Sequence, residues 1–416
     1  MKKLTIILSV IIVSGLFSLS GCDLIKDKND PGTPHENTGD TLWIHTVPKG
    51  DKTLWIAEIP LAVGTDGTIY YSASGGMANW EPSRIYAVNK NDGTLKWQTE
   101  PLELWHVNSN IVVADDGTVY ILSYTKLYSI DPASGIFNWV WEVPQTLPHP
   151  DYPNGANSYG EVSSLALAEN GDLIFKTSGS GVYFRALYCV GTDGNMKWFR
   201  FIQASGNPIT IGYNGIVYDY SGENNINYLM ASDPATGGVL WKIKAYTGYG
   251  YTNITVADNG DLIAFLANDS LARINPADGS LIWKSIVKSS NKKILIDHDG
   301  LITMYDQFSG IHRYSSQNGS ESGQVLSIPE SSCIDDFGKM YSVRADGFDV
   351  YKNDGTKDWS FNGAVYGKSL VISSDHVVYA AAGDKVYAIR GDASLAMSGW
   401  PAYAHDSRNT FNFNKH

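Results

Sequence analysis

One short pattern returns eight times along this chain, and it restricts the fold more than any other feature. Apolar residues run into a tight turn, and alternating strand formers follow. The copies are VGTDGTIYY around Gly67, VADDGTVYI around Gly117, LAENGDLIF around Gly171 and IGYNGIVYD around Gly215. The series continues with VADNGDLIA around Gly260, IDHDGLITM around Gly300, IDDFGKMYS around Gly338 and ISSDHVVYA around His376. Asp-Gly and Asn-Gly favour two-residue hairpins because their positive φ angles match the twist of the flanking strands. The copies lie roughly 38 to 54 residues apart, a period that belongs to repeat architectures.

A second signal keeps the same period. After each hairpin comes a strand, an Asx/Gly turn and then Gly-x-x-x-Trp, as in Gly93/Trp97, Gly135/Trp139, Gly194/Trp198, Gly237/Trp241, Gly279/Trp283 and Gly355/Trp359. The glycine supplies a left-handed turn, and the tryptophan offers a large apolar face at a fixed place on the next strand. It is suited to sealing one repeat against its neighbour. The sixth repeat departs from the pattern, since Ser-Glu-Ser-Gly follows Gly319, and its blade is expected to be the most weakly docked.

Each period therefore holds four strands, the content of one propeller blade. Eight hairpins imply an all-β, eight-bladed β-propeller, with a seven-bladed ring as the alternative. The eighth repeat, Lys368 to Arg390, shows three strands and lacks the turn-Trp strand. Asp40-Thr41-Leu42-Trp43-Ile44 matches that missing strand in type, so the N-terminal strand is expected to close the ring. Closure in this way leaves fewer exposed edges to invite aggregation.

Strings such as YSIDPASGIFNW (Tyr128 to Trp139) and MASDPATGGVLW (Met230 to Trp241) resemble the pyrroloquinoline-quinone-type propeller repeat with its tryptophan-docking turn. Gly399 to Asp406 (GWPAYAHD) is similar to a segment that flanks such propellers in exported bacterial proteins. The resemblance spans nearly all of residues 41 to 410. It implies fold far more than activity, because one propeller carries many functions.

The N-terminus reads as a targeting segment. Lys2 and Lys3 precede an apolar run from Leu4 to Leu19, which is marginal as a permanent span. Leu19-Ser20-Gly21-Cys22 resembles the bacterial lipobox, in which the peptide is cut before the cysteine and the cysteine is acylated. Two or more acyl chains give a stable membrane anchor. The division expected is a signal peptide over 1–21, a lipidated Cys22 and flexible tether over 22–40, and the propeller with a C-terminal extension over 41–416. Residues Lys26 to Asp40 are too polar to offset their own ordering entropy. The chain is expected on the outer or cell membrane, facing away from the cytoplasm.

The net charge of −12 carries no basic run, which excludes duplex nucleic acid as a natural partner. Besides Cys22 only Cys189 and Cys333 occur, each in a strand-like context that suits a buried free thiol. Enzymes of the resembling family that bind the quinone use an adjacent cysteine pair and a calcium site, and no such motif is present. No catalytic, cofactor or metal residue is assigned. Asp297-His298-Asp299-Gly300 lacks the ligand series of a calcium loop and reads as a hairpin turn.

Binding is the better prospect. If the strands run A-B-C-D from the axis outward, the Asp-Gly and Gly-x-x-x-Trp turns share one face. The opposite face receives the longer connections, Ser72 to Arg84, Trp141 to Gly160, Asp219 to Asn227 and Ala245 to Asn253. That rim would display Trp80, Trp105, Tyr152, Tyr159, Tyr220, Tyr246, Tyr249 and Tyr251. Such aromatics suit protein or glycan partners. The leading expectation is a non-enzymatic, lipid-anchored scaffold with an envelope protein partner. A small-molecule or glycan receptor using the rim or the central channel is the second, and a quinoprotein dehydrogenase the third.

Overall fold

The structure is a computed structural model. It describes residues 37–414 except 49–53, 58, 76–80, 104–106, 108, 150–151, 158–160, 178–184, 204–206, 224–225, 246–251, 268–269, 288, 290–292, 307, 326–330, 345, 364–369 and 403. The predicted signal peptide, Cys22 and most of the tether lie outside the described residues. Thr38 to His416 forms one compact unit.

Eight antiparallel sheets of four or five strands make up the ring, and an additional two-stranded hairpin is inserted in it. Blade 5 shows the plan: strand a Thr255–Val256, b Leu262–Leu266, c Ser270–Ile274 and d Leu281–Ile286, hydrogen-bonded in that order. The b strand is buried along its whole length, whereas d alternates between exposed and half-buried. Neighbouring blades cover b on both faces, so it reads as an unbroken apolar run, LIAFL, while c (SLARI) is buried except at Arg273. Strand d of blade 5 meets solvent along its length and shows the alternation.

The a–b hairpins turn where the repeat places them. In blade 1, Gly67 has φ +81° between Ala62–Val63 and Ile69–Ser74, and Asp66 accepts the Thr68 amide at 2.9 Å. In blade 6, Asp297 accepts the amides of Asp299 and Leu301 at 3.1 and 2.8 Å, the geometry of a hairpin turn.

The N-terminal strand closes the ring. Thr41–Thr46 is the outer strand of blade 8, antiparallel to Lys385–Arg390, with Ile44 opposite Tyr387. Val377–Ala382 and Leu370–Ile372 complete that sheet toward the axis.

Each docking indole lies on the backbone just before strand d of the following blade, which in blades 1 to 6 is the c–d turn. A Cβ on Gly93 would stand 2.5 Å from the Trp43 ring, and one on Gly135 would stand 2.6 Å from Trp97; both glycines also hold positive φ. Only glycine satisfies both demands. The same approach joins Trp139 to Gly194, Trp198 to Gly237, Trp241 to Gly279, Trp283 to Gly319 and Trp359 to Gly39. The indole N–H then donates to a carbonyl just before that glycine, as from Trp43 to Lys90 at 2.7 Å and from Trp97 to Pro132 at 2.8 Å. Trp359 differs, donating to the Asp392 carboxylate at 2.9 Å. Burying a ring of this size contributes roughly 4–6 kcal/mol of gross transfer free energy.

The joint between blades 6 and 7 is built differently. Gly323 stands at the tryptophan position, opposite Arg313 in the register that sets Trp283 opposite Arg273 in blade 5. Arg313 donates to the Asn353 carbonyl at 2.8 Å, so a guanidinium takes the acceptor that an indole takes elsewhere. The apolar seam here is short, formed by Leu295, Ile311, Ile334, Met340 and Tyr351.

Candidate functional site

The axis of the ring is the first place to look for a site, and the chain's own C-terminus occupies one end of it. Beyond blade 8, residues 394–414 run across the ends of the inner strands next to the a–b turns. Amides of those strands donate to the segment: Val63 to Ser407 at 2.8 Å, Val113 to Arg408 at 3.1 Å and Leu167 to Thr410 at 3.0 Å. Ile211 donates to Phe411 at 2.9 Å, Ile296 to Trp400 at 2.9 Å and Ile334 to Pro401 at 2.9 Å. Blade 5 joins through Asp258, which accepts the Gly399 amide at 2.6 Å. Blades 1 to 7 are thus tied to one segment that continues directly from blade 8.

Side chains of this segment fit the same task. Asn409 donates to the carbonyls of Leu61 and Ile111 at 2.9 and 3.1 Å, and Asn412 donates to that of Leu167 at 2.9 Å. Trp400, Thr410 and Asn412 are fully buried. Burial pushes the Asp406 carboxyl above the ordinary carboxylate range, against the pull of the Thr410 amide and the Arg408 charge. Between this segment and the turns of blades 1 and 8 lies a cleft of about 330 Å³, with the Lys90–Asp375 ion pair (3.4 Å) on its wall. At this end the segment closes the channel.

The opposite face carries the long connections, and two of them are more ordered than expected. Within Asp219 to Asn227 the strands Val217–Glu223 and Ile226–Ser232 stay paired out to Glu223 opposite Ile226. Between blades 2 and 3, Thr146–His149 pairs with Tyr152–Asn157 as the inserted hairpin. The rim expectation fails for Tyr220, which is fully buried in blade 4. Its hydroxyl donates to the Phe265 carbonyl at 3.0 Å and accepts the Phe265 amide at 2.9 Å, so it bonds blade 4 to blade 5. A polar end with two backbone partners explains how a tyrosine belongs in this core. Tyr152 begins the second strand of the inserted hairpin. Trp80, Trp105, Tyr159, Tyr246, Tyr249 and Tyr251 lie outside the described residues.

Three buried polar groups could carry chemistry. Lys176 of blade 3 is fully buried, with Asp219 of blade 4 at 3.3 Å and the Tyr220 carbonyl at 3.1 Å. Arg200 faces the same carboxylate at 3.4 Å, and Ser221 donates to it. Burial pushes Asp219 upward, but the charges of Lys176 and Arg200 together with the hydrogen bonds from Ser221 and Lys176 hold the carboxyl below its ordinary range. Burial also lowers Lys176, only partly offset by Asp219. The cluster braces two blades.

In blade 6, His312 lies 2.7 Å from Ser309 Oγ through Nε2 and 2.6 Å from Glu321 Oε1 through Nδ1. The order serine, histidine, carboxylate is that of an activated nucleophile. Ser309, however, already donates its hydroxyl proton to Asp306 at 2.8 Å, and the Asp306 carboxylate also accepts the amides of Phe308 and Ser309 at 3.0 Å. A hydroxyl committed in this way accepts from the imidazole instead of yielding its proton to it. The group caps the b–c hairpin.

Cys189 and Cys333 are buried free thiols on blades 3 and 7, so they form no adjacent pair. Burial pushes the Cys189 thiol up to about 12, and Cys333 also rises. Among the described residues, no group of three or more His, Cys, Asp or Glu side chains could hold a metal ion.

A family model described as outer membrane protein assembly factor BamB matches residues 36–243, 81–322 and 225–398 in overlapping stretches, which together take in all eight blades. The chain belongs to the BamB family. The BamB of Yersinia pestis is 23% identical over 311 residues, covering 70% of this chain and 73% of that protein. The crystal structure of BamB from Moraxella catarrhalis superposes with a TM-score of 0.60 at 13% identity, over 84% of this chain and 99% of that one. Quinohemoprotein alcohol dehydrogenase from Comamonas testosteroni gives a TM-score of 0.59 at 12% identity, over 86% and 78%. At such identities these structures report the fold alone.

For this BamB-family chain, sequence reasoning had missed the channel closure and the guanidinium at joint 6–7. The sign available for the first was Asn409 and Asn412 in a C-terminal stretch without strand periodicity, where amides bond carbonyl-rich strand ends. The sign for the second was Arg273 and Arg313 at one repeat position, with tryptophan following only the former.

Proposed function

We propose that this chain is a non-enzymatic scaffold for protein partners in the bacterial cell envelope, anchored by acylated Cys22 and serving the assembly of outer-membrane proteins. The observation that carries the reading is the BamB family match, which extends through every blade. The C-terminal segment supports it, because it occupies one end of the axis and takes that end away as a ligand entrance. The lipobox-like residues before Cys22 and the polar stretch to Asp40 support a tethered protein facing away from the cytoplasm. Trp80, Trp105, Tyr152, Tyr159, Tyr249 and Tyr251 are the rim residues assigned to partner contact.

The test is in-cell crosslinking of the full chain, followed by mass spectrometry of the membrane fraction. One stoichiometric envelope protein is the expected partner. Recovery of none, together with saturable glycan binding, would replace the scaffold by a receptor.

A further inference from the structure

Each blade ends its inner strand on an amide just before the a–b turn, and six of these amides share one role. In blades 1 to 4, 6 and 7 they donate to carbonyls of the C-terminal segment, at 2.8 to 3.1 Å. In blade 5 the segment is held by Asp258 instead. In blade 8 the equivalent residue, Ile372, makes no such bond among the described residues. The register shows where its N–H points. Ile372 pairs with Val378 as Val63 pairs with Ile69, and in both hairpins the next residue donates across the turn, Ser373 to Val377 and Gly64 to Thr68. The Ile372 amide therefore turns away from strand b and toward the axis, as that of Val63 does.

What lies there is the cleft. The segment bonds blade 7 through Ser394 and Ala396 and returns to blade 1 at Ser407, so it passes blade 8 on either side. The cleft of about 330 Å³ lies between residues 394–397 and 405–408, with fully buried Ile372 in its lining. Thr65, Asp375 and Met397 also line it and are exposed, so it is entered from solvent without passage along the axis. Two opposite charges face it, Lys90 Nζ standing 3.4 Å from Asp375 Oδ2. A Cβ on Gly67 would stand 2.3 Å from Lys90 Cδ, so the lysine stem lies against the turn and holds its ammonium at the wall. The Ser373 hydroxyl donates to the other Asp375 oxygen and orients that carboxylate. The remaining charged residues of the lining, Asp406 and Arg408, are engaged by Thr410 and by Asp115. Leu395 and Ala396 add buried apolar wall.

We propose that the cleft between blades 1 and 8 binds a free α-amino acid with an apolar side chain. A buried N–H beside an ammonium calls for an anionic oxygen, and the neighbouring carboxylate calls for a cation. An α-amino acid carries both charges on one carbon, at a spacing close to that of the Lys90–Asp375 pair. Its carboxylate accepts the Ile372 N–H and faces Lys90, its ammonium faces Asp375, and its side chain lies against Leu395 and Ala396. The volume is at the small end for ligand cavities, which suits a molecule of this size. The site is separate from the rim residues assigned to partner contact, so it stands or falls apart from the scaffold reading.

The test titrates the full-length protein with each standard L-amino acid singly, by calorimetry, and repeats the tightest with Lys90→Met and Asp375→Asn. Saturable binding of an apolar amino acid is expected, with affinity at least about tenfold lower in each variant. Both variants should melt within about 2 °C of wild type, since an exposed ion pair contributes little to stability. The methyl ester and the N-acetyl derivative of the bound amino acid each lack one charge, and should bind wild type at least about tenfold more weakly. These two ligands keep the test independent of how the variants fold. With isotopically labelled isoleucine, the Ile372 amide signal, assigned by its loss in Ile372→Val, should move along the same titration. No saturable binding by any amino acid, unchanged affinity in both variants, or an unmoved Ile372 signal would overturn the site.

Discussion

Asp219→Asn tests the reasoning about buried charge most directly. The substitution keeps the shape of the side chain and removes the charge 3.3 Å from a fully buried ammonium. Lys176 then keeps neutral acceptors alone, the carbonyls of Asn207 and Tyr220 at 3.3 and 3.1 Å and at most the new amide oxygen, and must either stay charged without a counter-ion or give up its proton. Breaking a buried pair from one side costs about 3–5 kcal/mol. Lys176→Met should cost less, about 2 kcal/mol, because Arg200 still faces the carboxylate at 3.4 Å. The double variant removes both charges and should return to within about 2 kcal/mol of wild type. Urea unfolding followed by tryptophan fluorescence gives the midpoints for the cycle. The pH dependence has a definite sign. Asp219 titrates lower in the folded chain, so its contribution is complete above its unfolded value and is lost as pH falls through the folded one. The gap between wild type and Asp219→Asn should therefore narrow as pH falls below about 4. A single-variant cost under about 1 kcal/mol, or a double variant as unstable as the sum of the singles, would refute the account.

Further expectations concern the ends, the rim and the thiols. Truncation after Ala393 removes the segment that ties blades 1 to 7 to blade 8, and should lower the melting temperature by about 10 °C or more; an unchanged value would mean that the ring is held without it. Cys22→Ala should move the protein from the membrane to the soluble fraction and abolish palmitate labelling, and continued labelling would disprove the anchor. Trp80→Ala combined with Tyr152→Ala should abolish partner recovery in a crosslinking pulldown while leaving melting nearly unchanged. Cys189 and Cys333 should resist a thiol reagent at pH 8 until urea unfolds the chain, since burial raises both thiols.

What could be read from sequence was what the chain encodes locally. A hairpin around Gly67 needs only Asp66, Gly67 and the strand formers beside them, so it is visible within nine residues. The outer strand of blade 8 was legible from Trp43, because it repeats the pattern of Trp97 even though its partner strand comes from the other end of the chain. Tyr220 was misjudged because its decisive partner, Phe265, lies one blade away and is met through backbone atoms that any residue would supply. The channel closure was hidden for the same reason. Val63 to Ser407 and Ile296 to Trp400 are backbone bonds, and backbone leaves no mark in a sequence. The guanidinium at joint 6–7 stood between these cases, visible only by aligning Arg313 with Arg273 and comparing the d strand after each, where Gly323 replaces Trp283.

The outer strand of blade 8 also fixes the order in which the molecule can be completed. Thr41–Thr46 is made ahead of every other described strand, yet its partner Lys385–Arg390 is the last of them. The segment that closes the channel comes later still. An interrupted chain therefore lacks the outermost closure and the axial one together, and exposes the unpaired Thr41–Thr46 edge. Completeness of synthesis thereby becomes a condition of compactness.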